Sequence, residues 1–353
     1  MHRTTGAAPR RGRGRSLALP AVWGALTVGY ELGCPLAAED ALGARLATSA
    51  VLLAVGSGLM LRLRRVLLRE VRQVRRVAGA AQNALLGPLP PQVAGLALAA
   101  RRLSADGHAA LGGDLYEVAS TEHGVRVVIG DVRGHGLAAL GTAAALLGGF
   151  REAAHDEPEL AGVLRRLERT HARHQRLRAG RRPADRAWGG EDFVTVLLLQ
   201  IAADGRMTAL NCGHPWPYRL RGPAAGAPGA ARRVEQLHAD DPLPPLGSFP
   251  LPAELPPLSC GLLRPGEALF LHTDGASDAR DAAGRFFPLR AALADTVRRA
   301  QPAPRAVVGA VHSRLLRHTG GAPEDDVALL VLRNDRRPLP APGTGPMARP
   351  AAR

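Results

Sequence analysis

Residues 125–136 read VRVVIGDVRGHG, and the fold turns on how they are understood. Val125–Asp131 is a short β-branched run ending on a carboxylate, and Gly134-His135-Gly136 then opens a helical pattern over Gly136–Ala154. A run of this length bounded by glycine punctuates a strand, and apolar residues returning at helical spacing mark the change of period. Further strands are expected at Gly95–Arg102, Leu115–Ser120, Phe193–Ile201, Met207–Asn211, Ala268–Thr273 and Val327–Leu332. Asp204-Gly205 should join two of them as a hairpin turn. Helical patterns continue at Pro158–Leu177, Arg290–Ala300 and Arg305–His318. The strands cluster, with two helices inserted after the third, which fits an α+β layered sandwich better than strict strand-helix alternation. Arg221–Arg232 and Asp240–Pro257, dense in Pro, Gly and Ala, read as surface loops. From about Arg336 a Pro-rich stretch without apolar periodicity reads as a disordered tail, 336–353.

The aspartates of this domain fall where strands end. Asp114 follows Gly112-Gly113, Asp131 closes VRVVIGD, Asp274 closes LFLHTD ahead of Gly275, and Asp325 and Asp326 directly precede VALLVL. A carboxylate at a strand end is held by the sheet while its oxygens face a cleft. Hard cations such as Mg²⁺ or Mn²⁺ are bound in that way, through a few carboxylates with waters completing an octahedron. One Asp-Gly pair alone is more often a plain turn. Four such sites in one domain change the reading, because converging carboxylates without a cation repel one another and hold protons. Cys34, Cys212 and Cys260 lie far apart without CxxC spacing, which excludes a disulfide framework and a cysteine zinc site.

In order along the chain, GGDLYE (Gly112–Glu117), IGDVRGHG (Ile129–Gly136), FVTVLLLQI (Phe193–Ile201), NCGHPWPYRL (Asn211–Leu220), LFLHTDGASDARD (Leu269–Asp281) and EDDVALLVL (Glu324–Leu332) resemble the metal-dependent PPM-type serine/threonine protein phosphatases, in their bacterial SpoIIE-like branch. The resemblance covers about Ala80 to Arg333. It implies a four-layer α-β-β-α sandwich of two antiparallel sheets over residues 91–335, with two Mn²⁺ or Mg²⁺ ions at one end. It further implies that Asp131 bridges both metals, that the Val132 carbonyl ligates one, and that Asp274 and Asp325 hold the other. Asp114 would bind directly or through water, and Asp131 and Asp274 would be the catalytic pair. Asp326 would stand behind the ligands. Glu117 replaces the Asp usual at the end of GGDxYD and reaches one methylene further, which leaves its contact open. His135 either protonates the leaving alkoxide or forms the turn; Arg133 either meets the substrate phosphate or faces solvent. His214 should order the turn after its strand. The reaction implied is attack of a metal-activated water on phosphoserine or phosphothreonine, with no covalent intermediate. The implied substrate is a phosphorylated regulatory protein of the anti-anti-sigma type. A non-catalytic membrane-tethered adaptor and a hydrolase of a small phosphate ester are the competing readings.

A net charge of +15 over 353 residues suggests nucleic acid until it is located. Residues 1–76 hold 13 arginines against four acidic residues, so +9 lies there and +6 in the remaining 277. The arginines form two blocks around two apolar runs, Leu17–Ala38, interrupted by Glu31, and Leu46–Met60, bounded by Arg45 and Arg62. That placement points to a membrane and not to a phosphate backbone, so no nucleic-acid partner is expected. A bilayer core of about 30 Å needs roughly 20 residues, reached by the second run only if its flanking arginines snorkel. The positive-inside rule then keeps both blocks and the catalytic domain in the cytoplasm, with the Pro35–Gly43 turn outside. Residues 1–60 would thus be a basic arm and a two-helix transmembrane hairpin; a signal peptide and a buried soluble hairpin are the other readings. Residues 61–90 form a linker whose stretch Leu61–Leu86 should be a basic amphipathic helix, its apolar stripe covered by lipid or by a second copy in a homodimer. Pro88, Pro90 and Pro91 end it.

Overall fold

The computed structural model describes residues 50–69, 87, 89–103, 112–134, 136–181, 193–222, 233–237, 241–299, 303–321 and 323–336. The chain divides into two units, Met1–Val74 and Arg75–Arg353. In the first unit, residues 50–69 are helical and their apolar side chains stand exposed, Val51 at 60% and Leu59 at 67%. Among the described residues no helix is long and apolar enough to cross a membrane. The helix meets Arg62, Arg64 and Arg65 soon after its apolar part. The run Leu17–Ala38, the Pro35–Gly43 turn and the linker from Glu70 to Leu86 lie outside the described residues.

The second unit is built on two antiparallel sheets. The first runs in the order β1 (Gln92–Val93), β2 (Leu96–Leu103), β11 (Val327–Asn334), β10 (Ala268–His272), β7 (Tyr218–Arg221), β8 (Arg233–Gln236). The second runs β3 (Asp114–Thr121), β4 (Gly124–Val132), β5 (Val194–Ile201), β6 (Arg206–Cys212), β9 (Leu258–Leu262). Helices α1 (Leu137–Asp156) and α2 (Leu160–Arg181) follow β4, α3 (Asp274–Ser277) follows β10, and α4 (Leu289–Arg299) and α5 (Pro304–His318) precede β11.

Strand alternation explains the layers, because successive side chains point to opposite faces. On β11, Ala328, Leu330 and Leu332 face the other sheet, while Val327, Leu329 and Val331 pack with Leu293, Val307, Val311 and Leu315 of α4 and α5. On β4, Val125, Val127 and Ile129 fill the gap between the sheets, and Val128 and Val132 pack with Leu146, Phe150 and Leu164 of α1 and α2. Full burial of each large aliphatic side chain stabilises by about 1.5–3 kcal/mol. The result is the expected four-layer α-β-β-α sandwich.

Arg126 shares the helix-facing side of β4 and is fully buried. Its guanidinium donates to Gln200 Oε1 (2.9 Å) and to the carbonyls of Ala154 (2.9 Å), Glu157 (2.5 Å) and Pro158 (2.7 Å). It thereby satisfies carbonyls that the end of α1 leaves without intrahelical partners. Two expectations need correction. The stretch 241–257 is more than a surface loop. Leu246 and Leu255 are buried in the α1-α2 core, and Leu246 exchanges two backbone hydrogen bonds with Val194, because leucines punctuate its prolines and give it something to bury. Arg336, expected to start the tail, is anchored instead. Its guanidinium donates to the carbonyls of Ala94, Ala202 and Ala203. Residues 337–353 and 223–232 lie outside the described residues.

Candidate metal centre

Alternation also carries the aspartates to one end of the gap between the sheets. Asp114 pairs in register with Asp131 across β3 and β4. Asp114 shares its face with Tyr116 and Val118, and Asp131 shares its face with Val127 and Ile129, so both point toward the first sheet. From that sheet, Thr273 continues the inward face of Leu269 and Leu271, and its hydroxyl donates to Asp114 Oδ2 at 3.2 Å. The same hydroxyl accepts the Ala328 N–H at 2.9 Å, which ties the ends of β10 and β11 to Asp114. Asp274 opens α3 immediately after Thr273, and Asp325 and Asp326 lead into β11.

Glycines let these ends approach. A Cβ on Gly112 would lie 2.2 Å from Asp326 Oδ2, one on Gly113 would lie 2.2 Å from the Val132 carbonyl oxygen, and one on Gly275 would lie 2.0 Å from the Asp326 carbonyl oxygen. Two of those neighbours are backbone and cannot turn aside. GGD and TDG are therefore packing requirements as well as turns, and they set the Val132 carbonyl beside Asp131 and Asp114.

The electrostatics follow from crowding acids in a buried place. Burial first, then Asp274, Asp325 and Asp326, pushes Asp131 up to about 8. Asp114, 2% exposed, is held well above the usual carboxylate range by burial and then by Asp131, against a lowering influence from Arg102. Asp274 is raised by burial, Asp325 and Asp278. Asp114, Asp131, Asp274, Asp325 and Asp326 are thus one electrostatic group. Among the described residues no three of them close on a single point at ligand distance. In donor type the group fits hard divalent cations: carboxylate and carbonyl oxygens only, with more negative charge than the site's own cation offsets.

Three expected residues stand elsewhere or beyond view. Glu117 does not join the group. It lies an odd number of residues from Asp114, on the face of Leu115 toward the helices, where Oε2 accepts from Arg151 of α1 at 2.9 and 2.7 Å. Arg133 places its guanidinium 4.9 Å from the centroid of the Phe193 ring. His135 lies outside the described residues. His214 does order its turn: its N–H donates to Asn211 Oδ1 and its carbonyl accepts from Asn211 Nδ2, both at 2.8 Å, and Nδ1 shares a 3.1 Å hydrogen bond with Thr195. Burial, with His272 beside it, pushes His214 down to about 3, and burial pushes His272 down to about 4. Both imidazoles are neutral near pH 7. Thr273 and Arg102 were not expected from the sequence. Continuing the alternation of ALFLHT by one residue would have turned Thr273 inward; nothing local marks Arg102, which reaches Asp114 only through sheet order.

Comparison with known proteins agrees with this architecture. Residues 121–335 match the family model described as Stage II sporulation protein E (SpoIIE). The fold is similar to the RsbU and RsbW domains of Rv1364c from Mycobacterium tuberculosis, at 25% identity and a TM-score of 0.51, over 69% of this chain and 62% of that one. It is also similar to the SiaA-PP2C domain of Pseudomonas aeruginosa, at 18% identity and a TM-score of 0.55, over 76% and 98%. A third likeness is to the PP2C phosphatase domain and regulatory-domain fragment of SpoIIE from Bacillus subtilis, at 16% identity and a TM-score of 0.51, over 69% and 64%. The chain spans less than two thirds of the first and third of these structures.

Proposed function

The chain belongs to the Stage II sporulation protein E (SpoIIE) family, and on that premise we propose that its PP2C-like domain hydrolyses phosphoserine or phosphothreonine on a regulatory protein of the anti-anti-sigma type. The observation that carries this reading is the gathering of five aspartates at one end of the sandwich, with Asp131 pushed up to about 8 by burial and its neighbours. Asp131, Asp274 and Asp325 would hold divalent cations, joined by the Val132 carbonyl, with Asp114 bound directly or through water. When bound, two Mn²⁺ or Mg²⁺ ions acidify a water and offset charge on the phosphoryl oxygens. The chain's own work is positional. Gly113 admits the Val132 carbonyl beside Asp114 and Asp131, Gly275 admits the Asp326 backbone beside Asp274, and Thr273 orients Asp114 by hydrogen bond. Arg102 sets a positive charge near Asp114 and partly offsets the crowded acids. His214 and His272 stay neutral and buried, so neither serves as the leaving group's acid.

We place the domain in the cytoplasm on a membrane anchor formed by residues 1–60. The support is the exposed apolar beginning of the helix over 50–69, whose later turns carry Arg62, Arg64, Arg65 and Arg69.

The test of the activity is Mn²⁺-dependent release of phosphate from a phosphoserine peptide, compared between wild type and Asp131→Asn. Removing an outer partner of a metal ligand already costs about 10–100-fold, so the Asn variant should lose at least roughly 100-fold. Equal turnover in the two proteins would refute the proposal.

A further inference from the structure

We propose, resting on the phosphatase reading above, that the cleft between α1, α2 and the loop Gly247–Pro250 docks an acidic segment of the phosphoprotein substrate. The cleft encloses about 1040 Å³. Its floor is smooth, made of alanines and glycines of α1 between Ala144 and Gly149. One wall carries Arg169, Arg173 and Arg176 of α2. Spaced by four and three residues, they stand on one face of the helix, spread over about 10 Å at 1.5 Å per residue. All three are exposed, and among the described residues no ion pair or hydrogen bond is seen for them. Like charges at this spacing disfavour a helix, so the row is a standing demand for anions. The cleft's own acids do not meet it. Glu168 Oε1 is taken by the Leu251 N–H at 2.7 Å, and Glu152 adds one carboxylate to a lining that holds these three guanidiniums.

The shape and charge select the occupant. A second copy of this chain, with its net charge of +15, brings the wrong sign. A flat headgroup plane does not reach a floor walled by α2 on one side and by the 247–250 loop on the other, where Phe249 stands 68% exposed. An acidic polypeptide segment suits both features, with carboxylates on the arginine row and apolar residues against the floor and Phe249. The position is productive. α1 leads directly from the Asp131–Gly136 turn, and the cleft begins at Ala144, about 10 Å along that helix. One substrate molecule can therefore hold its acidic segment there while its phosphorylated residue lies at the aspartates, which raises the local concentration of the phosphoester.

The experiment compares the full chain with an R169Q/R173Q/R176Q variant on three Mn²⁺-supported substrates. These are p-nitrophenyl phosphate, a phosphoserine peptide extended by a run of glutamates, and the same peptide extended by glutamines. For wild type, the glutamate extension should lower KM roughly tenfold relative to the glutamine extension with kcat unchanged. The variant should lose that preference and keep wild-type turnover of p-nitrophenyl phosphate. Equal KM values for the two peptides in wild type, or a preference that survives the triple substitution, would overturn the proposal. If wild type turns over none of the three, the phosphatase reading has failed, and docking is judged by fluorescence anisotropy of the unphosphorylated glutamate peptide. Arginine-dependent binding supports the site; binding no tighter than that of the glutamine peptide overturns it. Binding of phosphatidylserine vesicles that depends on the three arginines, without peptide preference, also overturns it, in favour of a lipid surface.

Discussion

At the scale of single residues, the acids of the centre are defined by their crowding. Asp131 is held up to about 8, and Asp114 and Asp274 are raised with it, burial being the first cause in each case. The folded chain therefore binds more protons than the unfolded chain between the ordinary carboxylate range and about pH 8. Stability contributed by these groups is fully present at low pH and is lost as pH rises through that window. In chelator, the melting temperature of the second unit should fall from pH 5 to pH 8.5, and Asp131→Asn should make the slope shallower. An identical slope in both proteins would show that Asp131 titrates normally. The five aspartates were legible in the sequence because each ends or precedes an apolar run. The contact left open for Glu117 could have been narrowed from the sequence: it lies three residues from Asp114, and odd spacing on a strand means opposite faces. Arg102 could not be read, since its proximity to Asp114 arises from β2 pairing with β11, a long-range choice.

At the scale of elements, long and fully buried strands announced themselves and short strands at or next to the sheet edges did not. β4, β5, β10 and β11 carry continuous apolar runs covered on both faces, which hydrophobic patterning reports directly. β7, β8 and β9 read YRLR, RVEQ and LSCGL; four or five residues, half exposed and partly charged, give no alternation to count. They exist because neighbouring strands offer unpaired backbone groups, and that is information from the partner, not the segment. The helix over 50–69 is the opposite case: legible as apolar, yet with nothing among the described residues over Val51, Val55 or Leu59. If lipid covers that side, a chain lacking residues 1–60 should move from the membrane to the soluble fraction on centrifugation of lysates while retaining its fold. A truncated chain that still sediments with membranes would place the anchor elsewhere.

At the scale of the whole molecule, the sandwich is a device for bringing carboxylates from distant parts of the chain to one end. β3 and β4 supply Asp114 and Asp131 from one sheet; β10 and β11 deliver Asp274, Asp325 and Asp326 from the other. The inter-sheet core of Leu96, Ile129, Leu197, Leu271 and Leu330 keeps the two sheets in the register that makes them meet. Close packing of that core resists adjustment, so a group of like charges persists there that solvent alone would scatter. The sequence alone reached this layering and this gathering because motif order and aspartate placement agreed, while the exact approach of the backbones at Gly112, Gly113 and Gly275 needed three dimensions. The most direct test is calorimetric titration of the chelator-treated full chain with Mn²⁺ at pH 7.5. Saturable binding of two ions per chain, weakened at least roughly tenfold in Asp131→Asn, is predicted; no saturable binding, or equal affinity in the two proteins, would contradict the account.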